Sequence, residues 1–250
     1  WHPTKNGDIF PDVVVAGSKA KYWWKCSVAD DHEWQTSVGD RTSYSTGCPF
    51  CDGKKVSCTN SLENLFPEIS AQWHPTKNGT ITAADVTAGS SKKIWWKCPK
   101  GDDHEWEAPI YSRVKGTGCP VCSGRKVVPS NCLATTHPDL VQEWCWPKNI
   151  STTPHEVTAG SHKKVWWKCD KGSDHIWETS VYHRTSGEGC PVCSNNMLVE
   201  SNSLGAVYPN LASEWHTTKN GKLTPADVQP YSNKSVWWKC KINPKHEWKA

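Results

Sequence analysis

Cysteine and histidine recur along this 250-residue chain at spacings that suit metal coordination. Cys26 and His32, Cys98 and His104, Cys169 and His175, and Cys240 and His246 are each separated by five residues. A Cys-x-x-Cys follows the first three pairs: Cys48/Cys51 after fifteen residues, Cys119/Cys122 and Cys190/Cys193 after fourteen. Two Cys at this spacing on a tight turn can face one ion, and three thiolates with one imidazole fill a tetrahedral Zn2+ shell. A full shell leaves no position for water, so the expected role is structural, with one Zn2+ per complete Cys3His set and three complete sets. Cys240 and His246 would be half of a fourth. Iron is the lesser alternative, and free buried thiols or disulfides are the reading without metal. Thirteen Cys, an odd number, fit a fully paired disulfide framework poorly. The default is therefore a reducing intracellular compartment such as the nucleus or an organelle. The triplets Asn78-Gly79-Thr80, Asn149-Ile150-Ser151 and Asn233-Lys234-Ser235 would nevertheless permit secretion.

The ligands ride on a longer period. Trp-Trp-Lys-Cys occurs four times, ending at Cys26, Cys98, Cys169 and Cys240, with offsets of 72, 71 and 71 residues. Trp1, Trp73, Trp144 and Trp215 keep step with it, as do the pairs from Lys5-Asn6 to Lys219-Asn220. Four repeats result: 1–56, which lacks its N-terminal helix, 57–128, 129–199 and a truncated 200–250. Because the chain opens and stops inside a repeat, it reads as a segment of a longer protein. Within a repeat, Pro67–Trp73 and Pro138–Trp144 are helical candidates. A Lys-Asn-Gly turn follows, and then a strand, Lys93–Cys98. It sets Ile94, Trp96 and Cys98 on one face and Lys93, Trp95 and Lys97 on the other. Trp106, Ala108 and Ile110 alternate on a second strand, and Gly-Cys-Pro-Val-Cys closes the unit. The expected fold is a set of small metal-stabilised repeats, mainly short β-hairpins with one short helix per unit, in a tandem zinc-ribbon array. Only 36% of residues are hydrophobic, with three Phe and one Met against 17 Trp, so indole and sulfur must supply most of the cohesion. No run of 18 apolar residues is present, which excludes a membrane-spanning helix in this segment.

Two kinds of function remain. Lys21/Trp23/Lys25, Lys93/Trp95/Lys97 and Lys164/Trp166/Lys168 put cations and flat aromatics on the strand face away from the metal, and Arg41, Arg113 and Arg184 recur on the second strand. Such a stripe could contact phosphates and stack on bases of DNA or RNA. Alternatively, the Trp cover neighbouring repeats, the Lys stems pack over indole and the Arg are held by cation–π contact. The chain would then be a structural scaffold or a protein–protein interaction module within a larger assembly. Formal net charge is +4 with neutral cysteines, and loading three sites with Zn2+ on nine thiolates leaves about +1. Any nucleic-acid contact must therefore come from a local stripe. No Ser/His/Asp or paired-carboxylate set recurs, and Ile176 interrupts the series Glu33, Glu105, Glu247, so no catalysis is expected. Cys58 and Cys132 do not recur and read as free thiols. Cys145 occupies the place of His2, His74 and His216, where a packing or turn role is favoured over a second metal.

Between Asn60 and Cys122 the chain carries Asn-Ser-Leu, Trp-His-Pro-Thr-Lys-Asn-Gly, Lys-Lys-Ile-Trp-Trp-Lys-Cys, His-Glu-Trp and Gly-Cys-Pro-Val-Cys. This pattern resembles the "probable zinc-ribbon domain" repeat family, whose members look like tandem treble-clef or zinc-ribbon modules, some joined to nuclease-type domains. The resemblance covers essentially the whole chain. It implies a zinc ribbon in each unit and suggests nucleic-acid binding. Departures are Cys145-Trp146 for His-Pro, Ile176 for Glu, and Asn195-Asn196 for the basic Gly-Arg-Lys.

Overall fold

In the first three repeats the five residues from Lys through Trp-Trp-Lys form a strand whose side chains alternate between two faces, as a period of two requires. The computed structural model describes residues 1–250, which fall into two compact units, 1–125 and 126–250. The first holds β1 (Lys21–Lys25), β2 (Glu33–Ser37), α1 (Val38–Thr42), α2 (Leu62–Leu65), α3 (Pro67–Ser70), β3 (Lys93–Lys97), β4 (Glu105–Pro109) and α4 (Ile110–Val114). The second holds α5 (Leu133–Thr136), α6 (Pro138–Gln142), β5 (Lys164–Lys168), β6 (Ile176–Ser180), α7 (Val181–Thr185), α8 (Leu204–Val207), α9 (Pro209–Ala212), β7 (Trp237–Lys239) and β8 (Glu247–Lys249). Successive strands pair as four separate antiparallel hairpins. Their registers agree, with Trp24 opposite Trp34, Trp96 opposite Trp106, Trp167 opposite Trp177 and Trp238 opposite Trp248.

A two-stranded sheet is marginal in water unless one face is covered. Here the cover is indole. Trp73 makes a single antiparallel bridge to Trp96 and meets it edge-to-face, with ring centroids 5.5 Å apart at 79°. Trp1–Trp24, Trp144–Trp167 and Trp215–Trp238 repeat that geometry at 5.4, 5.4 and 5.5 Å, the arrangement an aromatic quadrupole prefers. In the third repeat Leu133, Leu140, Val157, Val165 and Val181 complete the cluster around Trp144, Trp167 and Trp177. The strand faces are as read: Ile94, Trp96 and Cys98 are buried, while Lys93 is exposed and Trp95 and Lys97 are half-buried.

Two boundaries differ from the sequence reading. The helix that opens at Pro67 ends at Ser70 rather than Trp73, and it is not alone: α2 precedes it and α4 follows β4, so the repeat carries three short helices where one was expected. α2 and α3 are separated at Phe66, whose backbone (φ −138°, ψ 65°) leaves the helical region. His137 and Tyr208 hold the same conformation, because each precedes a proline and the Pro ring excludes the α conformation there. The second strand stops at Pro109, so Ile110 opens a helix, fully buried against the hairpin.

These faces predict unequal costs. Trp167→Ala, which empties a fully buried site, is expected to destabilise its repeat by about 3–5 kcal/mol. Trp166→Ala, on the half-buried face, is expected to cost about 1 kcal/mol. Hydrogen exchange of the β5 and β6 amides measures both, and equal losses would show the faces to be wrongly assigned.

Candidate metal centres and the outer hairpin face

Each hairpin delivers two ligands at its loop end. The ladder continues one pair beyond the strands, with Cys26, Cys98, Cys169 and Cys240 each donating N–H to the carbonyl of His32, His104, His175 and His246 at 3.0 Å. This is why five residues separate Cys from His: they flank the hairpin loop and face each other across it. The Cys-x-x-Cys turn after the short helix brings the other two. Its backbone is closed by bonds from Lys54, Arg125 and Asn196 N–H to the carbonyls of Pro49, Pro120 and Pro191, all 2.8 Å. Gly53 and Gly124 take the left-handed conformation this turn needs (φ 68° and 69°), and Asn195 takes it at φ 57° in the third repeat. Asn is one of the few residues that tolerate such a φ, so the departure from Gly-Arg-Lys leaves the turn intact.

The four donors of each set lie within 4.8 Å of one another: Cys26, His32, Cys48 and Cys51; Cys98, His104, Cys119 and Cys122; Cys169, His175, Cys190 and Cys193. Sγ–Sγ distances are 3.7 Å for Cys26–Cys51, Cys98–Cys122 and Cys169–Cys193. Nδ1 of each histidine faces the turn thiols at 3.4 to 3.9 Å. A tetrahedral Zn2+ with bonds near 2.3 Å to sulfur requires edges of about 3.8 Å. Donor chemistry, number and spacing therefore fit Zn2+ at each of the three sites, with no vertex left for a reactive water. Cys240 and His246 face each other as the equivalent half of such a shell.

Crowding of thiols governs their protonation. Desolvation and hydrogen bonds from the other two thiols push Cys51 up to about 12, and Cys122 and Cys193 up to about 11. Cys26 is lowered, chiefly by the Val28 N–H aimed at its sulfur. A metal-free knuckle thus keeps the proton of Cys51, Cys122 or Cys193 at neutral pH, and binding Zn2+ must release it.

The sequence profile of the family described as "Probable Treble clef zinc finger domain" matches residues 1–54, 69–125, 140–196 and 211–250. The chain belongs to this family. No curated protein matches it. Its treble-clef repeats bind zinc through the three Cys3His sets, and no helix is long and apolar enough to cross a membrane.

The outer faces of the treble-clef hairpins depart from the sequence reading at the arginines. Arg41, Arg113 and Arg184 do not lie on the second strands but on α1, α4 and α7. Arg113 and Arg184 are 6% and 7% exposed, which withdraws them from any phosphate. Arg113 lies over Trp96 and Trp106 at 5.4 and 5.3 Å and bonds Gln72 Oε1 at 2.6 Å and the Thr117 carbonyl. Arg184 does the same with Trp167, Trp177, Glu143 Oε2 and the Glu188 carbonyl. Arg41, half-buried, rests over Trp24 and Trp34. Each is a cation packed against indole that ties the Cys-x-x-Cys turn to the core. The helix that carries them begins one residue after the strand ends and turns them inward.

On the outer face, Trp23, Trp95, Trp166 and Trp237 are fixed by the recurring Lys-Asn turn, which continues with Gly in three repeats and with Ile150 in the third. The amides of Asn6, Asn78, Asn149 and Asn220 each bond both the N–H and the carbonyl of that Trp at 2.6 to 3.0 Å, which satisfies the free edge of the strand. Two of the three glycosylation triplets therefore have their Asn committed to the fold. Lys5, Lys77, Lys148 and Lys219 stand over the same four indoles at 4.7, 4.7, 3.9 and 4.6 Å.

The recurring histidine before this turn proves to be a clasp. Nδ1 of His2, His74 and His216 accepts backbone N–H bonds from residues two and three positions on. Nε2 lies 2.8, 3.0 and 2.9 Å from Glu33, Glu105 and Glu247. Both ring nitrogens are thereby engaged, and neither is left for a second metal. The same glutamates pair with Lys5, Lys77 and Lys219, and those lysines, then the histidines, hold the carboxyls down to about 2. The third repeat exchanges both partners at once, Cys145 for His and Ile176 for Glu. That joint exchange is visible in the sequence and is the one signal from which the pairing could have been found.

Elemental analysis is expected to find about three Zn2+ per chain, and Cys122→Ser is expected to remove one. Because the bound state carries fewer protons, acidification should drive zinc off and loading at pH 7 should release protons. Calorimetry in buffers of different ionisation enthalpy reads that release; loading without it would contradict the raised thiols.

Proposed function

We propose that this chain is a non-catalytic array of zinc-stabilised repeats whose outer hairpin faces bind nucleic acid, DNA or RNA, in a reducing intracellular compartment. The observation that supports this reading is the excess of lysine over carboxylate on those faces. Lys5, Lys21 and Lys25 surround Trp23 against Glu33 and Asp30, the latter 3.0 Å from Lys25. Around Trp95 are Lys77, Lys93 and Lys97 with Glu105 and Glu107, and around Trp166 are Lys148, Lys164 and Lys168 with Glu178. Lysines on the face can neutralise phosphates while each half-exposed indole offers a surface on which a base can stack. Several modest faces at a fixed 71–72-residue period on one chain gain affinity by acting together.

A protein scaffold is the second reading, and the same faces supply its argument. Lys77 is already engaged by Trp95 and Glu105, and Lys97 lies 3.8 Å from Glu105, so part of the positive charge is spent within the repeat. A half-covered Trp ringed by paired charges is also a suitable anchor for a protein surface.

Titration of labelled single-stranded and duplex DNA and RNA with the zinc-loaded chain at several salt concentrations separates the two. Binding that weakens steeply with salt is expected. Lys93→Glu with Lys97→Glu should weaken it about tenfold or more without loss of zinc, and Trp95→Ala should weaken single-strand binding by about 1–3 kcal/mol. Absence of binding at low salt would overturn the nucleic-acid reading in favour of the scaffold.

A further inference from the structure

The ligand imidazoles are held from outside their own knuckles. In the first unit Thr59 Oγ1 lies 3.2 Å from His32 Nε2 and donates to Asp31 Oδ1 at 2.7 Å, while Thr59 N–H donates to Asp31 Oδ2 at 3.0 Å. The second unit builds the same arrangement with another hydroxyl. Ser201 Oγ lies 3.4 Å from His175 Nε2 and donates to Asp174 Oδ1 at 2.8 Å, and Ser201 N–H donates to Asp174 Oδ2 at 2.8 Å. A hydroxyl whose proton goes to a carboxylate presents a lone pair to Nε2 and accepts the imidazole N–H. That leaves the Nδ1 lone pair aimed at the thiols, where a metal ligand needs it.

Thr59 and Ser201 lie beyond the Cys-x-x-Cys, in the segment leading into the next repeat, and their two successors act in sequence. Asn60 donates its amide to the Phe50 and Lys55 carbonyls at 2.8 and 2.9 Å, and Asn202 to those of Val192 and Met197 at 3.5 and 2.9 Å, all on or just after the knuckle. Ser61 and Ser203 then accept N–H bonds from Asn64 and Ala206 as the N-caps of α2 and α8. One residue reaches the ligand histidine, the next the knuckle backbone, and the third starts the following helix.

We propose that this triplet makes the zinc affinity of these two knuckles depend on the first residues of the following repeat, with Thr59 and Ser201 as positioning residues for His32 and His175, so that loading either site orders the start of the next repeat. The fourth repeat supplies a contrast. Lys245 stands in the aspartate's place, and the Asn243 amide, from within the same loop, lies 2.9 Å from His246 Nε2.

The test uses the full zinc-loaded chain. In competition with a chelator, Thr59→Val with Ser201→Ala is expected to release two of the three ions at about ten- to hundredfold higher free zinc. The third should stay at its original affinity. Thr59→Ser, which keeps the hydroxyl, should restore the first site. The exchange-protected Nε2–H proton signals of His32 and His175 should be lost in the double variant. Wild-type affinity at all three sites, unchanged Nε2–H signals, or equal effects of Thr59→Ser and Thr59→Val would each overturn the proposal. So would unaltered exchange protection of the α2 amides when Cys51→Ser disables the first knuckle.

Discussion

In each of the first three repeats the strands are five residues long, and what keeps such a hairpin closed is the drawing of three thiolates and an imidazole to one point. The pair of ligands across the hairpin loop is set by the backbone ladder, and the pair on the Cys-x-x-Cys turn by proline and a left-handed residue. The metal joins two pieces of chain that share few apolar side chains. Everything else in the repeat serves that closure. The indole layer covers the inner strand face, and the buried arginine fastens the turn to that layer with cation–π contacts and hydrogen bonds to a carbonyl and a side-chain oxygen. Loss of either the metal or the indole layer therefore removes the reason for the other.

The outer face has a different economy. Its tryptophan is pinned by an asparagine amide and covered by a lysine that also pairs with a clasping glutamate, so the face is ordered before any partner arrives. An ordered face loses less entropy on binding, but its lysines have intramolecular partners with which a phosphate or carboxylate must compete. The third repeat, without the His–Glu clasp, brings Lys148 closer over Trp166 than its counterparts come. The repeats are thus similar in frame and unequal in surface.

The Thr/Ser–Asn–Ser segment bears on how the repeats work as a chain. In arrays whose units contact mainly their neighbours, stability is a sum of intrinsic and nearest-neighbour terms. A ligand histidine oriented by the following repeat would place part of the metal affinity in the neighbour term. The matched family spans end at residues 54, 125 and 196, before Thr59 and Ser201, so the cooperative zinc unit would extend past the matched domain.

The amino-acid sequence by itself determined the period, the ligand sets, the hairpins and the division of each first strand into an inner and an outer face. Those properties depend on covalent spacing and on a side-chain period of two, which act over a few residues. The break at Phe66 was also legible, since it needs only the proline that follows. Tertiary structure alone decided the fate of Arg113 and Arg184 and the cover of Trp95 by Lys77. The rings and side chains that hold them lie 7 to 41 residues away. The outcome depended on where a helix began and which way it then faced, and periodicity carries no record of that.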